Sequence, residues 1–247
     1  MMPALIETEA LTKTYTLGEM TVNALQGVTF TIESGSFVAI MGASGSGKST
    51  LMNLLGCLDR PTSGRYWLDG IAVEGLDRDQ LAEIRNQKIG FVFQSFNLLP
   101  RMSAMENVQL PLLYASGDTG NVNERARRVL ELVGLGGRER SLPTQLSGGQ
   151  QQRIAIARAL INEPEILLAD EPTGQLDSRT SAEIMNIFRE LNQTHGITIV
   201  IVTHSDEVAA YANRIITFRD GGIVADTKKR TARSETVASF PAGVEVP

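Results

Sequence analysis

The sequence is poor in cysteine and carries no surplus of basic residues. Its 247 residues include a single cysteine, Cys57, which excludes an internal disulfide bond and is typical of a reducing compartment. The neighbours of Cys57, in LMNLLGCL, are apolar, so we expect a buried, unreactive thiol rather than a reactive one. The net charge of −5 argues against nucleic-acid binding, because nucleic-acid binders usually carry a basic surplus.

Long apolar runs are also missing. The longest β-branched apolar run, Ile197 to Val202, is much shorter than the roughly 20 residues that a membrane-spanning helix needs. The first residues, MMPALIETEALTK, lack the charged start and apolar stretch of a secretory signal, so we expect a soluble protein in the cytoplasm. What the sequence has is an ordinary globular composition, with 42% hydrophobic and 21% charged residues, which is sufficient for a sizeable core.

Hydrophobic periodicity predicts an α/β fold with a mostly parallel core sheet. Residues 3–40 alternate apolar and polar positions, which predicts an antiparallel sheet that ends in a buried strand, Phe37 to Met41. A helix is predicted from Gly47 to Leu58, and the strand KIGFVFQ ends at Gln94. The segment EILLAD is apolar enough for a central parallel strand. A helix follows from about Ser178 to Thr194, and then the strand ITIVIVT.

The middle of the chain is mostly helical. Ser103 and Glu106 are placed to form a capping box, as are Asp77 and Gln80 before it. NERARRVLELVGL predicts an amphipathic helix ended by Gly134, and LSGGQQQRIAIARALI predicts another helix. A final hairpin turns at Asp220-Gly221. The resulting assignment is one domain at 1–227, with a β subdomain and core at 1–94, a helical insert at 95–161, the rest of the core at 162–227, and a flexible tail at 228–247.

A glycine-rich stretch, GASGSGKST, lies between a predicted strand and a predicted helix. It matches the pattern G-x-x-x-x-G-K-[ST], and that structural context is the one that distinguishes a phosphate-binding loop from an ordinary helix start. Backbone N–H groups would surround the phosphates, Lys48 would contact the β- and γ-phosphates, and the Ser49 hydroxyl would bind Mg²⁺. This phosphate loop comprises Gly42, Ala43, Ser44, Gly45, Ser46, Gly47, Lys48, Ser49 and Thr50.

Two adjacent acids follow the strand EILLAD. Asp170 ends the strand, where a carboxylate can hold Mg²⁺ beside the loop, and Glu171 is placed to act as a general base toward water. Taken alone, such a pair could equally be solvated turn residues. The phosphate loop favours a metal ligand followed by a base, because both are needed for hydrolysis of a nucleotide.

Other polar side chains follow predicted parallel strands. His204 ends ITIVIVTH and Gln94 ends KIGFVFQ, so both are expected at the edge of the sheet that carries the phosphate loop. Gln94 could reach the metal or the attacking water. The other histidine, His195, lies between a helix end and a strand, where a structural role is the simpler interpretation.

A second glycine-rich helix start, TQLSGGQQQR, lies about a hundred residues after the first. LSGGQQQR resembles the signature sequence of ABC-type ATPases, and the motifs GASGSGKST, FVFQ, ILLADEPTGQLDS and IVTH stand in the order typical of that family. The resemblance covers the chain to about residue 227. GCLDRPTSG, RNQKIGFVFQSFNLLP and ENVQLPLLY are most similar to ATPase subunits of the macrolide-export and lipoprotein-releasing group.

The resemblance implies a RecA-like P-loop NTPase core with an antiparallel β subdomain and a helical signature subdomain. It also implies a head-to-tail homodimer, in which the signature helix of one subunit caps the ATP bound by the loop of the other. Tyr15 would stack on adenine, although packing is the more common role of such an aromatic, and Asp177 would bridge the subunits. Gln175 replaces the usual Ala or Asn. The residues implied to cap ATP are Ser147, Gly148, Gly149 and Gln150.

The same resemblance implies an ATPase, with ATP and Mg²⁺ bound, that drives a separate integral-membrane permease from the cytoplasmic face of the cell membrane. The segment 95–113 would receive the permease, or else would pack within the helical insert. The implied role is export or lipoprotein release, and for export the implied partners include a periplasmic membrane-fusion protein. The alternative is an ATP-driven regulator of cell-wall hydrolases in division, and a neighbouring gene for a peptidoglycan hydrolase would favour it. DNA-repair or translation ATPases of this superfamily fit less well.

Overall fold

Two sheets and a set of helices make up residues 3–18 and 20–229, which the computed structural model describes. The first sheet is antiparallel, in the strand order β2-β1-β4-β5. Its two long strands pair from the start of the chain through a hairpin, as the alternation of residues 3–40 predicted. The strand bounds are Ala4–Leu17 for β1, Met20–Glu33 for β2, Ser63–Leu68 for β4 and Ile71–Ala72 for β5.

The second sheet forms the core, in the strand order β10-β9-β3-β8-β7-β6. Five neighbouring strands pair in parallel, in the order β6, β7, β8, β3 and β9. Strand β10 pairs with β9 in antiparallel orientation at the edge. Strands β7 and β8 are buried along almost their whole length, which confirms the prediction for EILLAD. The bounds are Phe37–Gly42 for β3, Ile89–Phe93 for β6, Ile166–Asp170 for β7, Thr198–Val202 for β8, Arg214–Arg219 for β9 and Gly222–Lys228 for β10.

The helices flank the core sheet. Both predicted capping boxes are present, at the starts of α2 and α3. The long helix α6 buries Ile184, Phe188 and Leu191 and half-buries Ile187, as its apolar stripe predicted. The bounds are Lys48–Leu55 for α1, Arg78–Lys88 for α2, Ala104–Gln109 for α3, Val122–Leu132 for α4, Gly148–Leu160 for α5, Ser178–His195 for α6 and Asp206–Ala209 for α7.

Helix α1 is shorter than the sequence predicted. The prediction placed its end at Leu58, but the helix ends at Leu55, and Cys57 adopts a left-handed backbone with φ of 54°. Gly56 packs closely against the ring of Phe91, and a Cβ atom there would overlap that ring. Tertiary packing therefore overrides the helical pattern. The Cys57 thiol is buried as expected, and burial raises its pKa to about 11.

Apolar residues form a cluster on each face of the core sheet. Alternate side chains of β7 point to opposite faces, so Leu167 packs with α3 to α6 while Leu168 packs with α1 and the antiparallel sheet. The core sheet is therefore covered on both sides. Strand β10 includes Lys228, which the predicted tail had included, and residues 230–247 of that tail lie outside the described part of the chain. Within the described part, no helix combines the length and apolarity needed to cross a membrane.

Candidate functional site

A cleft of about 690 Å³ opens at the carboxyl ends of β3, β7 and β8. The phosphate loop leaves β3 here, the two acids follow β7, and His204 follows β8, because parallel strands present these ends at one edge of a sheet. The structure thus brings together most of the residues that the sequence nominated. Those that line the cleft are Tyr15, Ser44, Gly45, Gly47, Lys48, Ser49, Thr50, Asp170, Glu171 and His204.

Two glycines of the phosphate loop are required by its backbone. Gly47 has φ of +100° and precedes α1, and a Cβ atom there would overlap the carbonyl oxygen of Ala24 in β2. Gly42 has φ of +150°, and a Cβ atom there would overlap the carbonyl oxygen of Phe218 in β9. Side chains are thus excluded from both positions by the strands that pass behind the loop.

Strand β2 and the β9–β10 hairpin hold the loop from behind. The backbone N–H of Gly221 donates to the carbonyl of Ser46 at 3.1 Å. Gln26 in turn donates to the hairpin twice, from its backbone to Gly221 at 2.9 Å and from its side chain to the carbonyl of Asp220 at 2.8 Å. The loop is therefore braced by segments from both ends of the chain.

The ammonium group of Lys48 lies inside the curve of the loop. It donates to the carbonyl oxygens of Gly42 at 2.8 Å and Ala43 at 2.7 Å, and the side chain is largely buried. The buried hydroxyl oxygen of Ser46 has no hydrogen-bond partner among the described residues. A loop with a fixed cation and an unpartnered hydroxyl has the chemistry of an anion site. Gly42, Ala43 and Ser46 form its base and do not line the open cleft.

Asp170 and Ser49 can hold a hard divalent cation. Burial raises the pKa of Asp170 above its usual range, and the charge of Glu171 raises it further, while Lys48 partly opposes both effects. A cation beside Asp170 would relieve these penalties. The hydroxyl of Ser49 lines the same cleft, so the available donors are oxygen atoms, which Mg²⁺ prefers. The residues present therefore fit a magnesium ion.

Glu171 is held in a strained backbone and by several donors. Its φ is 44°, in the left-handed region, and its backbone N–H donates to the carbonyl of Val202 at 2.9 Å. The hydroxyl of Thr203 donates to one carboxylate oxygen at 3.1 Å. The other oxygen accepts the backbone N–H of His204 at 3.0 Å and lies 2.6 Å from that residue's Nδ1. The carboxylate is thereby fixed at the seam between β7 and β8.

Gln94 is not among the residues that line the cleft. It follows β6, which is the edge strand, with β7 and β8 between it and the strand of the phosphate loop. Its side chain instead lies against Gly174, where a Cβ atom would be 2.6 Å from the amide nitrogen. All four predicted strand ends lie at one edge of the sheet, since Phe93 at the end of β6 pairs with Asp170, but the Gln94 side chain packs on Gly174 and does not line the cleft.

The second glycine-rich stretch, at the start of α5, also lies outside the cleft. Ser147 and Gln150 form a capping box, in which each side chain accepts the backbone N–H of the other residue. Gly148 and Gly149 are packed against Leu176 and Thr180, in the segment that follows the two acids. Asp177 caps α6 through Thr180, and these hydrogen bonds lower the pKa of its carboxyl.

Gln152 is a buried connection that the sequence did not suggest. Its side-chain amide donates to the carbonyl of Pro172 at 2.6 Å, and its side-chain oxygen has no partner in the described part of the chain. Since Pro172 directly follows Glu171, this bond ties helix α5 to the loop that carries the predicted base. The triple-glutamine run in LSGGQQQR was the signal available, but nothing in it marked the third glutamine as buried.

Several residues of the cleft were not predicted. One wall is formed by residues of β2, and the Asp220-Gly221 turn, predicted only as a hairpin, forms another. The β2 residues are Val22, Asn23, Ala24 and Gln26. Tyr15 lies opposite Val22 in the β1–β2 pairing and donates its hydroxyl to Asp59 at 2.9 Å. An alternating strand gives no sign of which residues face a ligand, so the β2 positions could not be recognised from the sequence, and Tyr15 was nominated only through the family resemblance.

The segment 95–113 both packs inward and presents apolar side chains. Val108 and Leu112 are buried in the insert, whereas Leu113 and the following Tyr114 are more than three-quarters exposed. Next to Tyr114 lies a second groove of about 500 Å³, bounded by α2, β6 and α5. Part of the segment thus packs within the insert, while binding of a permease to its exposed part stays a prediction.

The chain is similar to known proteins along most of its length. A family model described as ABC transporter matches residues 25–174. The chain is 58% identical over 221 residues to the macrolide export ATP-binding/permease protein MacB of Syntrophobacter fumaroxidans, covering 89% of this chain and 31% of that protein. It is 52% identical over 220 residues to the uncharacterized ABC transporter ATP-binding protein YknY of Bacillus subtilis, covering 89% of this chain and 95% of that one. The chain thus spans about a third of the length of its MacB relatives.

A solved structure has the same fold. The ATP-binding cassette MJ0796, determined as a dimer in a post-hydrolysis state with ADP and Pi, superposes with a TM-score of 0.84 at 47% identity. The match covers 92% of this chain and 100% of that one. The α/β class, with a parallel core sheet, an antiparallel sheet and a helical layer, agrees with the prediction.

Proposed function

This chain belongs to the ABC transporter family, and on that basis we propose that it binds and hydrolyses ATP to drive a membrane permease. The observation that carries the proposal is the cleft itself, in which the phosphate loop, Lys48, Asp170 and Glu171 face one space. The post-hydrolysis dimer of MJ0796, with ADP and Pi bound, supports the same reaction.

The phosphate loop binds the nucleotide. Its backbone N–H groups and the Lys48 ammonium contact the β- and γ-phosphates, which carry the charge that the loop is built to accept. Ser49 and Asp170 would hold Mg²⁺, with Gln94 joining them if its loop moves toward the cleft. The ion would neutralise charge on the phosphates and help to orient them. Tyr15 contacts the adenine ring.

Glu171 acts as the general base. Its carboxylate takes a proton from a water molecule aimed at the γ-phosphate, and the hydrogen bonds from Thr203 and His204 fix the orientation of the acceptor oxygens. His204 is three-quarters exposed at the cleft, so its Nε2 can face the γ-phosphate once nucleotide is bound. The proton gained by Glu171 leaves with the products.

A second copy of the chain completes each site. Since the start of α5 does not line its own cleft, its N-terminal dipole is available to the nucleotide of a partner. Ser147, Gly149 and Gln150 then cap the γ-phosphate in a head-to-tail homodimer, and Asp177 lies at the interface. The dimeric state of MJ0796 supports this arrangement.

The free energy of ATP hydrolysis drives conformational change in the permease. Relatives named as macrolide export proteins, and one named as a probable syringafactin exporter, support an export role at the cytoplasmic face of the membrane. The groove beside Tyr114 receives the permease, and a periplasmic membrane-fusion protein completes the assembly. Nucleic acid is not a partner.

The ATPase proposal is tested with Lys48→Ala and with Lys228→Ala, an exposed lysine outside the cleft, as control. Titration of a fluorescent ATP analogue and a phosphate-release assay should both lose their signal in Lys48→Ala, because the loop loses its fixed cation. Near-normal affinity in Lys48→Ala would remove this loop from the active site.

The transport role is tested by purifying the protein from membranes and identifying what accompanies it. A permease with a membrane-fusion protein supports export. A permease with a peptidoglycan hydrolase would overturn the export role in favour of a regulator of cell-wall hydrolases.

A further inference from the structure

Tyr15 is tied to the helix that carries the phosphate loop. It lines the cleft beside Thr50, the third residue of α1, while its hydroxyl donates to Asp59, just beyond the end of the same helix. The aromatic ring on β1 and the phosphate loop are therefore linked through one helix.

Asp59 is itself held by strong donors. Its second carboxylate oxygen accepts from the ammonium of Lys13 at 2.7 Å and from the backbone N–H of Arg60 at 2.7 Å. Burial would raise the pKa of Asp59, but the hydrogen bonds from Lys13 and Tyr15 outweigh burial and lower the pKa. The carboxylate is consequently ionised near neutral pH, which makes it a stronger acceptor for the phenol.

Lys13 also contacts the ring. Its ammonium lies 4.9 Å from the ring centroid of Tyr15 and donates to the carbonyl of Arg60 at 2.7 Å. The Lys13 side chain is only 12% exposed, so this cation is fixed rather than solvated. Tyr15 is half-buried, with its remaining surface in the cleft.

We propose that Asp59 and Lys13 are positioning residues that hold the Tyr15 ring in place for the base of the nucleotide. The proposal rests on the proposed contact between Tyr15 and adenine. A phenol whose hydroxyl is anchored cannot swing about its first side-chain bonds, so less conformational freedom is lost when a flat ring stacks on it. The affinity for the base, separate from that for the phosphates, then depends on Asp59.

The test compares two probes, ATP and inorganic triphosphate, each with Mg²⁺, and measures their dissociation constants. Asp59→Ala and Tyr15→Phe should each weaken ATP binding roughly three- to tenfold, the range expected when one ordinary hydrogen bond that pre-orders the ring is lost. The double variant should be no weaker than either single one, because both remove the same bond. Triphosphate affinity should change less than about twofold, since the phosphate loop is intact.

The matched control is Glu9→Ala. Glu9 lies on β1, the strand of Tyr15, and forms an exposed ion pair with Arg65 outside the cleft. The affinities for ATP and for triphosphate should therefore stay at the parental values. Melting temperatures, measured alongside, show whether any variant is unfolded.

Equal losses of ATP and triphosphate affinity in Asp59→Ala would overturn the proposal, because they would indicate a structural role of Asp59 in α1. Additive losses in the double variant would overturn it as well. Tyr15→Ala separates this proposal from the one on which it rests. If Tyr15→Ala weakens ATP binding and Asp59→Ala does not, the positioning role of Asp59 is wrong while the contact between Tyr15 and adenine stands. If neither variant affects ATP binding, the contact between Tyr15 and adenine is wrong.

Discussion

The imidazole of His204 and the carboxylate of Glu171 are joined at 2.6 Å, and the backbone N–H of His204 contacts the same carboxylate oxygen. These two residues follow neighbouring strands, β8 and β7, and they lie 33 positions apart in the sequence. A rearrangement of the loop after β8 would therefore move the donor atoms that orient the carboxylate.

Glu171→Gln should slow ATP hydrolysis by on the order of 10² or more, because the amide cannot take a proton from water. The variant removes one negative charge beside the nucleotide, so the ATP-bound dimer should also live longer. A phosphate-release assay and size-exclusion chromatography with ATP measure both effects. If the variant hydrolyses ATP at the parental rate, or stays monomeric with ATP, Glu171 is not the base.

Mixing two inactive chains should restore activity. Ser147→Arg disables the helix start of α5 and Lys48→Ala disables the loop, yet one dimer of the two retains an intact loop that faces an intact helix start. Each variant alone should be inactive in phosphate release, and the mixture should show residual turnover across a range of ratios. Inactivity at every ratio would contradict the head-to-tail arrangement.

Asp170→Asn should stabilise the chain in the absence of nucleotide while abolishing the stabilisation by Mg²⁺-ATP. Burial and Glu171 raise the pKa of Asp170 on folding, so its ionisation disfavours the folded state. That penalty is absent at pH values below the pKa of Asp170 in the unfolded chain, and it is complete at pH values above its pKa in the folded chain. The variant should therefore melt at a higher temperature than the parental chain at pH 7, and the difference should shrink as the pH falls toward the ordinary carboxyl range.

The matched variant for Asp170 is Asp118→Asn, at an exposed loop position. Its melting temperature should stay at the parental value both at pH 7 and in the ordinary carboxyl range. Mg²⁺-ATP should still raise it. A melting temperature of Asp170→Asn that is unchanged or lower at pH 7 would contradict the electrostatic argument.

Gly47→Ala should destabilise the chain more than Gly45→Ala does. Both glycines have positive φ, but a Cβ atom at Gly45 has nothing within 4 Å, whereas one at Gly47 overlaps Ala24. We expect about 1 kcal/mol for Gly45→Ala from the backbone alone, and on the order of 3 kcal/mol for Gly47→Ala. Urea unfolding without nucleotide measures both values, and equal losses would show that the overlap relaxes easily.

Local features of the fold could be predicted from the sequence. The phosphate loop between β3 and α1, the two capping boxes and the hairpin at Asp220-Gly221 depend on residues close together in the chain, and all are present. The acids at the end of β7 and His204 at the end of β8 could be placed because parallel strands share one edge.

What depends on distant packing could not be predicted. The end of α1 is set by Phe91, which packs on Gly56, and the place of Gln94 is set by the order of the strands. The wall of the cleft formed by β2 and the bond from Tyr15 to Asp59 result from docking of the antiparallel sheet on the core. No periodicity in either segment records that docking.

The bracing of the phosphate loop has a consequence for biosynthesis. Strand β3 pairs with β8 and β9, and Ser46 is held by Gly221, so a loop made early is flanked by segments made much later. A ribosome that has released only the first half of the chain has exposed the loop but not its neighbours in the sheet, and contacts between such distant residues form slowly. The braced form of the loop can therefore form only once the β9–β10 hairpin has left the ribosome.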